Sequence, residues 1–352
     1  MKKQIMFMAM TAMLIASCSS DDVVSTNTGR AIDFRTSVGT RGAETTTANI
    51  SKFWVTAIDE AGVNYFSQQE FTKDGEFFTS SPLYYWPAGE LNFVAYSPSE
   101  TDLGGTLTIS NTTKELKDFS PAAEIANQKD FVTATASGTK AVNETSGVAL
   151  TFAHQLSQIE IKAKNANTGY VYKVVGVRIG KPVSKGTFTF GANTWSLTTT
   201  EKTNYAVEYT AAPRTLAADA ATMMGTANDN AMLLPQQLVA WASATDKTNN
   251  ANGAYIALKI QITTKDGARV YPAKGGEYDW AAVAIDTKWE AGKKYVYTLD
   301  FSNGAGKVDP EKPEPTDPTD PFKPGEDILG KPIKFTVTVT DWVPAVQPDI
   351  KM

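Results

Sequence analysis

Apolar and polar residues alternate with a period of two along most of this chain after Ala31, whereas helical periods are scarce. Such alternation predicts half-buried β-strands, whose successive side chains face opposite sides of a sheet. Turn-forming residues separate the alternating runs, and Glu60, Ala61 and Gly62 form a predicted hairpin turn. The predicted strands are residues 32–38, 52–59, 64–71, 91–96, 106–109, 131–136, 149–152, 158–163, 172–179, 186–190, 206–209, 255–264 and 294–301.

Many short strands between tight turns are typical of β-sandwiches, so we predict an all-β chain. The length suggests two domains. A polar break at residues 143–147 gives an N-terminal β-sandwich of residues 31–147, with its first strand at 31–38, and a second β-sandwich of residues 148–303. The Ala- and Thr-rich residues 211–230 predict a loop or a short helix.

Residues 304–331 have a different composition, in which proline alternates with Asp, Glu and Thr. Such an acidic, Pro-rich segment is expected to stay extended and to form no core. It predicts a linker that reaches on the order of 80 Å, at about 3.1 Å per residue. Residues 332–352 follow it and are too few for a domain, so we expect them to dock on a sheet.

The C-terminal segment contains one alternating strand, in which Ile333, Phe335, Val337 and Val339 share a face. Burying four such side chains contributes roughly 6–12 kcal/mol before entropy costs. Left exposed, this strand would aggregate, so a tethered apolar strand indicates strand addition to another sheet. The alternative is that the strand closes a sheet of its own chain.

The first predicted strand has the same pattern as the last one. Ile32, Phe34 and Val38 stand at the same alternating positions as the Ile, the Phe and the final Val of residues 333–339. A groove that fits one of these strands is therefore expected to fit the other.

The N-terminus has the pattern of a secretory signal over residues 1–17, because Lys2 and Lys3 precede an apolar run at 5–16. A membrane span needs roughly 20 apolar residues, and this run is shorter. Cys18, the only cysteine, stands where a bacterial lipobox places its acylated thiol, which would make residues 18–30 a lipidated tether. An ordinary signal with an incidental cysteine is the alternative.

Arg41 and Gly42 lie in a small, polar stretch that ends near residue 49, which is an accessible context for proteolysis. A cut after Arg41 would free the lipid anchor and loosen the first strand together. Arg30, before Ala31, is a second candidate, but a cut there leaves the first strand in place. A solvated charge without cleavage is the alternative for either arginine.

The net charge and the scarcity of histidine and cysteine argue against several functional classes. The net charge is -5, and losing Lys2 and Lys3 with the signal makes it -7, which argues against nucleic acid as a partner. His154 is the only histidine, so we expect a hydrogen-bonded structural role for it rather than a catalytic or metal-binding one. We predict no enzyme, no cofactor and no metal site. A carboxylate pair for glycoside hydrolysis stays open, because sequence separation does not give distance in space.

A second functional hypothesis is a monomeric surface lipoprotein that binds glycans. Tyr84, Tyr85 and Trp86, with Trp54 and Trp241, supply aromatic rings on which sugars could stack. Core packing is the alternative role for such residues in a β-sandwich.

Taken in order, the motifs of this chain resemble those of the Bacteroidales fimbrillins, the type V pilus subunits, and their fimbrillin-like relatives. The resemblance covers essentially the whole chain and rests on the lipobox at Cys18, the strand from Ile32 to Gly42, residues 85–87 and 91–98, residues 152–157, residues 233–236, residues 289–295 and residues 335–342.

The resemblance implies two transthyretin-like β-sandwich domains in a lipoprotein of the outer membrane and surface fimbrium. It also implies cleavage after Arg41 by an Arg-specific surface protease, with release of the strand carrying Ile32, Phe34 and Val38. The strand from Ile333 to Val339 of a neighbouring fimbrial subunit would then fill the groove. The implied partners are other fimbrial subunits, that protease, the outer membrane through the lipid, and a host or bacterial surface receptor. Stalk, tip and anchor roles stay open.

Overall fold

The structure, a computed structural model, describes residues 29–38, 50–225, 230–242, 252–330 and 333–341. Nearly half of these residues lie in the strands given below, beside two single-turn helices, α1 (Glu100–Leu103) and α2 (Lys140–Asn143), and a 3-10 turn at Ile125–Asn127. No helix in these ranges is long and apolar enough to cross a membrane. The predicted all-β class is confirmed.

The strands are numbered in chain order. Those of the first half are β1 (Phe34–Val38), β2 (Lys52–Asp59), β3 (Asn64–Asp74), β4 (Phe77–Ser80), β5 (Leu91–Ser97), β6 (Thr106–Ile109), β7 (Lys114–Phe119), β8 (Val132–Gly138), β9 (Val148–His154), β10 (Ser157–Lys164) and β11 (Tyr170–Gly180). Those of the second half are β12 (Gly186–Thr189), β13 (Thr194–Leu197), β14 (Tyr205–Glu208), β15 (Arg214–Thr215), β16 (Ala221–Met224), β17 (Ala231–Leu233), β18 (Tyr255–Thr264), β19 (Arg269–Tyr271), β20 (Asp279–Ala284), β21 (Lys293–Asp300), β22 (Lys307–Val308) and β23 (Lys334–Asp341).

The first sheet closes into a barrel in the order β1-β4-β3-β2-β5-β8-β9. The predicted turn between β2 and β3 is present, and Gly62 takes a φ of 79° there, which residues with a side chain rarely adopt. β1 closes the barrel because it pairs with β4 on one side and with β9 on the other. The barrel core is rich in aromatic residues, namely Phe34, Phe53, Phe66, Phe71, Phe78, Trp86, Phe93 and Phe152.

Two further sheets form a sandwich in the second half of the chain. One has the order β14-β11-β18-β20-β22, with β15 on β11 and β19 on β18. The other has the order β16-β10-β21-β23, with β17 on β10. Alternating apolar residues of both sheets meet in a shared core that includes Ile159, Ile161, Val174, Val177, Ile256, Leu258, Tyr295 and Tyr297.

A fourth sheet, β13-β12-β7-β6, takes strands from both halves of the chain. It packs against apolar residues on the outer side of the barrel, so that Tyr96 of β5 lies 6.3 Å from Phe190, between ring centroids. The two halves of the chain are therefore joined through a common apolar core and not only through the backbone.

Three segments differ from the sequence-based expectations. Residues 148–154, expected in the second domain, pair with β1 and β8 in the first sheet. Within residues 211–230 the described part contains the strands β15 and β16 rather than a helix. The Pro-rich segment is not an extended tether: Ala305, Val308 and Ile328 are fully buried against the second core. These few apolar residues hold the segment against the second core, and its prolines lie between Val308 and Ile328.

Candidate functional site

The first strand, β1, is one of the seven strands of the closed barrel and has a paired neighbour on each side. Its five residues pair in parallel register with Val148 to Phe152 of β9, and Phe34 also faces Phe78 of β4. Just before the strand, the Ile32 N–H donates to the Tyr84 carbonyl over 2.8 Å, and the Asp33 carbonyl accepts from the Val148 N–H over 2.9 Å. Removing β1 would open the barrel between β4 and β9.

Phe34 is the central apolar contact of β1. Its side chain is 0% exposed, and its ring packs edge-on against Phe53, Phe71 and Phe93, with centroid distances of 5.9, 4.7 and 5.1 Å. Ile32 is 1% exposed in the same core. Ile32 and Phe34, two residues apart, therefore both face the barrel core, as alternate side chains of an extended segment do.

A charged clasp closes the N-terminal end of β1. The Arg30 guanidinium is 3.0 Å from the Asp33 carboxylate and donates to the Thr145 carbonyl over 3.2 Å. The guanidinium carbon also lies 4.5 Å from the centroid of the Phe77 ring. The Arg30 main-chain N–H donates to the Glu144 carboxylate over 3.1 Å. The second candidate cleavage site therefore has its arginine side chain engaged in several contacts.

Asp33 is buried beneath this clasp. Burial raises the pKa of its carboxyl group, and the nearby Arg30 only partly opposes that shift. Its Oδ1 atom has no hydrogen-bond partner among the described residues. Gly147, with a φ of 68°, leaves room for it, because a Cβ at this position would lie 2.7 Å from Oδ1.

The last strand, β23, lies at an edge. It pairs antiparallel with β21 over its whole length, and no other strand in the described ranges pairs with it. Phe335 and Val337 are only partly buried against the second core, and Val339 is 50% exposed, whereas Ile333 just before the strand is buried. Of the two alternatives left open by the sequence, the structure has β23 docked on its own chain, with its apolar face incompletely covered.

The Pro-rich segment is fixed before it reaches β23. Asp309 pairs with Arg178, whose guanidinium carbon lies 4.5 Å from the centroid of the Trp280 ring. Burial raises the pKa of Asp309, and Arg178 opposes the rise. Phe322 packs edge-on against Tyr271, with centroids 4.9 Å apart. We call residues 304–330 the brace, because they cover one end of the second sandwich and carry the chain from β21 to β23.

Other candidates from the sequence lie apart from these strands. Cys18, Arg41 and Gly42 fall outside the described residues. His154 is buried, and its Nδ1 lies 2.9 Å from the Asp130 carboxylate, which confirms the expected hydrogen-bonded role. The described residues contain no group of acidic, His or Cys side chains that could hold a metal.

The proposed aromatic platform does not assemble. Trp86 is buried in the barrel core, and Trp241 is buried beside Tyr255 in the second sandwich. Tyr84 packs against Phe66, with centroids 4.6 Å apart, as part of the barrel wall. Core packing therefore accounts for Tyr84, Trp86 and Trp241.

The sequence-based interpretation missed the clasp. It treated Arg30 as a cleavage candidate and residues 143–147 as a domain break, whereas Glu144, Thr145 and Gly147 contact Arg30 and Asp33. The only local signal was the opposite charge of Arg30 and Asp33. Contacts across more than a hundred residues of sequence have no signal in a single chain.

These features define an all-β protein with an enclosed first strand and an edge last strand. Residues 37–342 match the model of the fimbrillin-like family, and the chain belongs to that family. Membership supports a fimbrial or adhesion subunit at the cell surface rather than an enzyme.

A solved structure shares the fold at low sequence identity. A fimbrial protein from Bacteroides vulgatus ATCC 8482 is 16% identical, with a TM-score of 0.56 over 89% of this chain and 100% of that one. A candidate cell adhesion protein from Bacteroides uniformis ATCC 8492 is also 16% identical, with a TM-score of 0.46 over 90% of this chain and 99% of that one. No curated protein matches this chain in sequence.

Proposed function

We propose that this chain is a structural subunit of a surface fimbrium that is exported as a lipoprotein and assembled by strand exchange. Cys18 carries the lipid in the outer membrane. An Arg-specific surface protease cuts between Arg41 and Gly42 and releases β1 with the residues before it, so that Ile32, Phe34 and Val38 leave the barrel. The β23 strand of another fimbrial subunit then fills the open groove and links the two subunits. The resulting fimbrium binds a host or bacterial surface receptor.

The observation that carries the proposal is the difference in burial between the two terminal strands. Phe34 is 0% exposed in the barrel core, whereas its counterpart Phe335 is only partly buried, and Val339 is 50% exposed on the edge strand β23. A groove that encloses alternate apolar side chains buries more apolar surface than an edge does. Apolar burial contributes about 25 cal/mol per Å², so a strand with the pattern of β23 is more stable in a vacated groove than on its own edge.

The contacts of Arg30 favour Arg41 as the processing site. A trypsin-like protease has to bind the arginine side chain in its own pocket, and the Arg30 guanidinium is already paired with Asp33 and Thr145. A cut after Arg30 would also leave β1 covalently attached to the rest of the barrel, and the groove would stay filled.

Limited digestion of the soluble precursor with an Arg-specific protease tests the proposal. The wild-type chain and an Arg30→Ala control are expected to lose residues up to 41 and to grow into SDS-resistant ladders, since Arg41 is intact in both. An Arg41→Ala chain is expected to stay monomeric, as read by intact mass and size-exclusion chromatography. If the Arg41→Ala chain forms ladders like the wild type, cleavage at Arg41 does not control assembly.

A further inference from the structure

The clasp at the start of β1 is a binding site for a cation, and we call it the Arg30 notch. Its walls are the ring of Phe77, the Thr145 carbonyl and the Glu144 carboxylate. The ring and the carbonyl contact the guanidinium, at 4.5 and 3.2 Å, and the carboxylate accepts the Arg30 main-chain N–H over 3.1 Å. All three walls belong to the part of the chain that stays behind when β1 leaves, so the notch would then lack its cation.

The match between the first and the last strand extends into this notch. Continuing the alignment of residues 32–38 with 333–339 toward the N-terminus places Pro332 against Ala31 and Lys331 against Arg30. Both strands are thus preceded by a cation at the same distance. Assuming strand exchange as proposed above, we infer that the Arg30 notch of the processed subunit receives Lys331 from a second copy of this chain.

The hydrogen bonds around the notch are compatible with the incoming segment. The bond at this end of the strand is donated by the Ile32 N–H to the Tyr84 carbonyl, and Ile333 supplies the same donor. Proline lacks an N–H, so Pro332 fits only where no main-chain donor is needed. The Ala31 N–H donates none of the main-chain hydrogen bonds among the described residues, so a proline is compatible with that position. Lys331 has a main-chain N–H, which would donate to the Glu144 carboxylate as the Arg30 N–H does.

The charges also fit. A lysine ammonium over an aromatic ring is attracted by the ring face, and the Thr145 carbonyl accepts a hydrogen bond from ammonium as it does from guanidinium. Asp33 departs with β1, and Lys334 takes its register position. Glu144 is then the acidic group left beside the notch, with Lys140 at 3.6 Å as its present partner. The notch would therefore discriminate donor strands by the charge of the residue two positions before the first buried isoleucine.

A peptide-binding experiment separates this inference from strand exchange itself. The acceptor is the full chain with Phe335→Asp and Val337→Asp, digested with the Arg-specific protease, so that its own β23 does not compete for the groove. The probe is a labelled peptide of residues 330–341 with the wild-type sequence. A Lys331→Glu peptide is expected to bind roughly tenfold more weakly than the wild-type peptide, because it places an anion beside Glu144. The control is Thr336→Glu, whose register position is that of the exposed Arg35, and it should bind within about twofold of wild type.

Equal binding of the wild-type and Lys331→Glu peptides would overturn the notch while leaving strand exchange intact. Failure of every peptide to bind the processed chain would overturn strand exchange and the notch with it. A Phe77→Leu acceptor gives a second readout: the penalty of Lys331→Glu should shrink, because the ring no longer favours a cation. If Lys331→Glu weakens binding to the Phe77→Leu acceptor as much as to the acceptor with Phe77, the charge at position 331 does not act through the Arg30 notch.

Discussion

At the scale of single residues, apolar packing holds β1 in place, since the buried carboxylate of Asp33, just before the strand, is poorly accommodated. Phe34 contacts three other phenylalanine rings edge-on, a geometry that adds to the gain from burial. Asp33 has an unpartnered oxygen and a raised pKa, so its ionised form opposes the closed barrel. The first strand is thus held firmly at Phe34 and weakly at the preceding residue, Asp33.

Replacing Phe34 by Ala should lower the free energy of unfolding by about 3–5 kcal/mol, because it removes the ring at the centre of an aromatic core. Urea unfolding followed by tryptophan fluorescence measures the loss. Arg35→Ala is the matched control on the same strand, and its exposed side chain should change stability by no more than about 0.5 kcal/mol. Equal losses from the two substitutions would mean that the ring cluster does not hold β1.

At the scale of elements, β1 and β23 share a side-chain pattern and differ in their surroundings. β1 has a neighbour on both sides, whereas β23 has one neighbour and ends its sheet. The same apolar face is therefore enclosed in one case and only partly covered in the other. Edge strands of this kind are available for pairing with other chains.

The alternation of residues was sufficient to find both strands and to give the bounds of Lys52–Asp59, Thr106–Ile109 and Tyr255–Thr264 to the residue. It failed for β20, whose Ala-rich sequence gives little contrast between faces. It failed for the brace as well, because proline-rich composition obscured the anchors Val308 and Ile328. Which strand closes the barrel depends on pairings between distant segments, and those are fixed only in the folded chain.

Replacing Phe335 and Val337 by Asp is expected to block assembly while the monomer stays folded. Both side chains are only partly buried in their own chain, whereas the register position of Phe335 is that of the fully buried Phe34. Assembly is read from SDS-resistant ladders after digestion, and folding from thermal unfolding of the undigested chain. A Thr336→Asp and Thr338→Asp chain is the control, since it puts the same charges on the opposite face. Unfolding of the first variant would instead assign β23 to the core of its own chain.

At the scale of the whole molecule, β1 and the proposed donor strand β23 lie in different sheets. β1 belongs to the barrel and β23 to the second sandwich, so pairing between copies joins unlike surfaces. Such head-to-tail contacts build open filaments unless the rotation between subunits closes a ring. The fourth sheet and its apolar core join the barrel to the second sandwich. Tension between neighbouring subunits would therefore be carried by packed side chains as well as by the backbone.

The central claim is that β23 of one copy takes the place of β1 in another, and a disulfide at a chosen register position tests it most directly. In a Cys18→Ser chain, Ala149→Cys faces the position of Arg35, and Thr336→Cys would take that position in the exchanged strand. Paired strands lie about 4.8 Å apart, within reach of a disulfide. In the undigested monomer, Thr336 instead faces Thr298, so Thr298→Cys with Thr336→Cys is the intramolecular control.

The account predicts that the Ala149→Cys, Thr336→Cys chain forms intermolecular disulfide ladders only after digestion, seen on non-reducing gels and by mass spectrometry of the linked peptides. The control pair is expected to close within the monomer before digestion. Absence of the 149–336 link in digested chains whose control pair closes normally would contradict the exchange of β23 for β1.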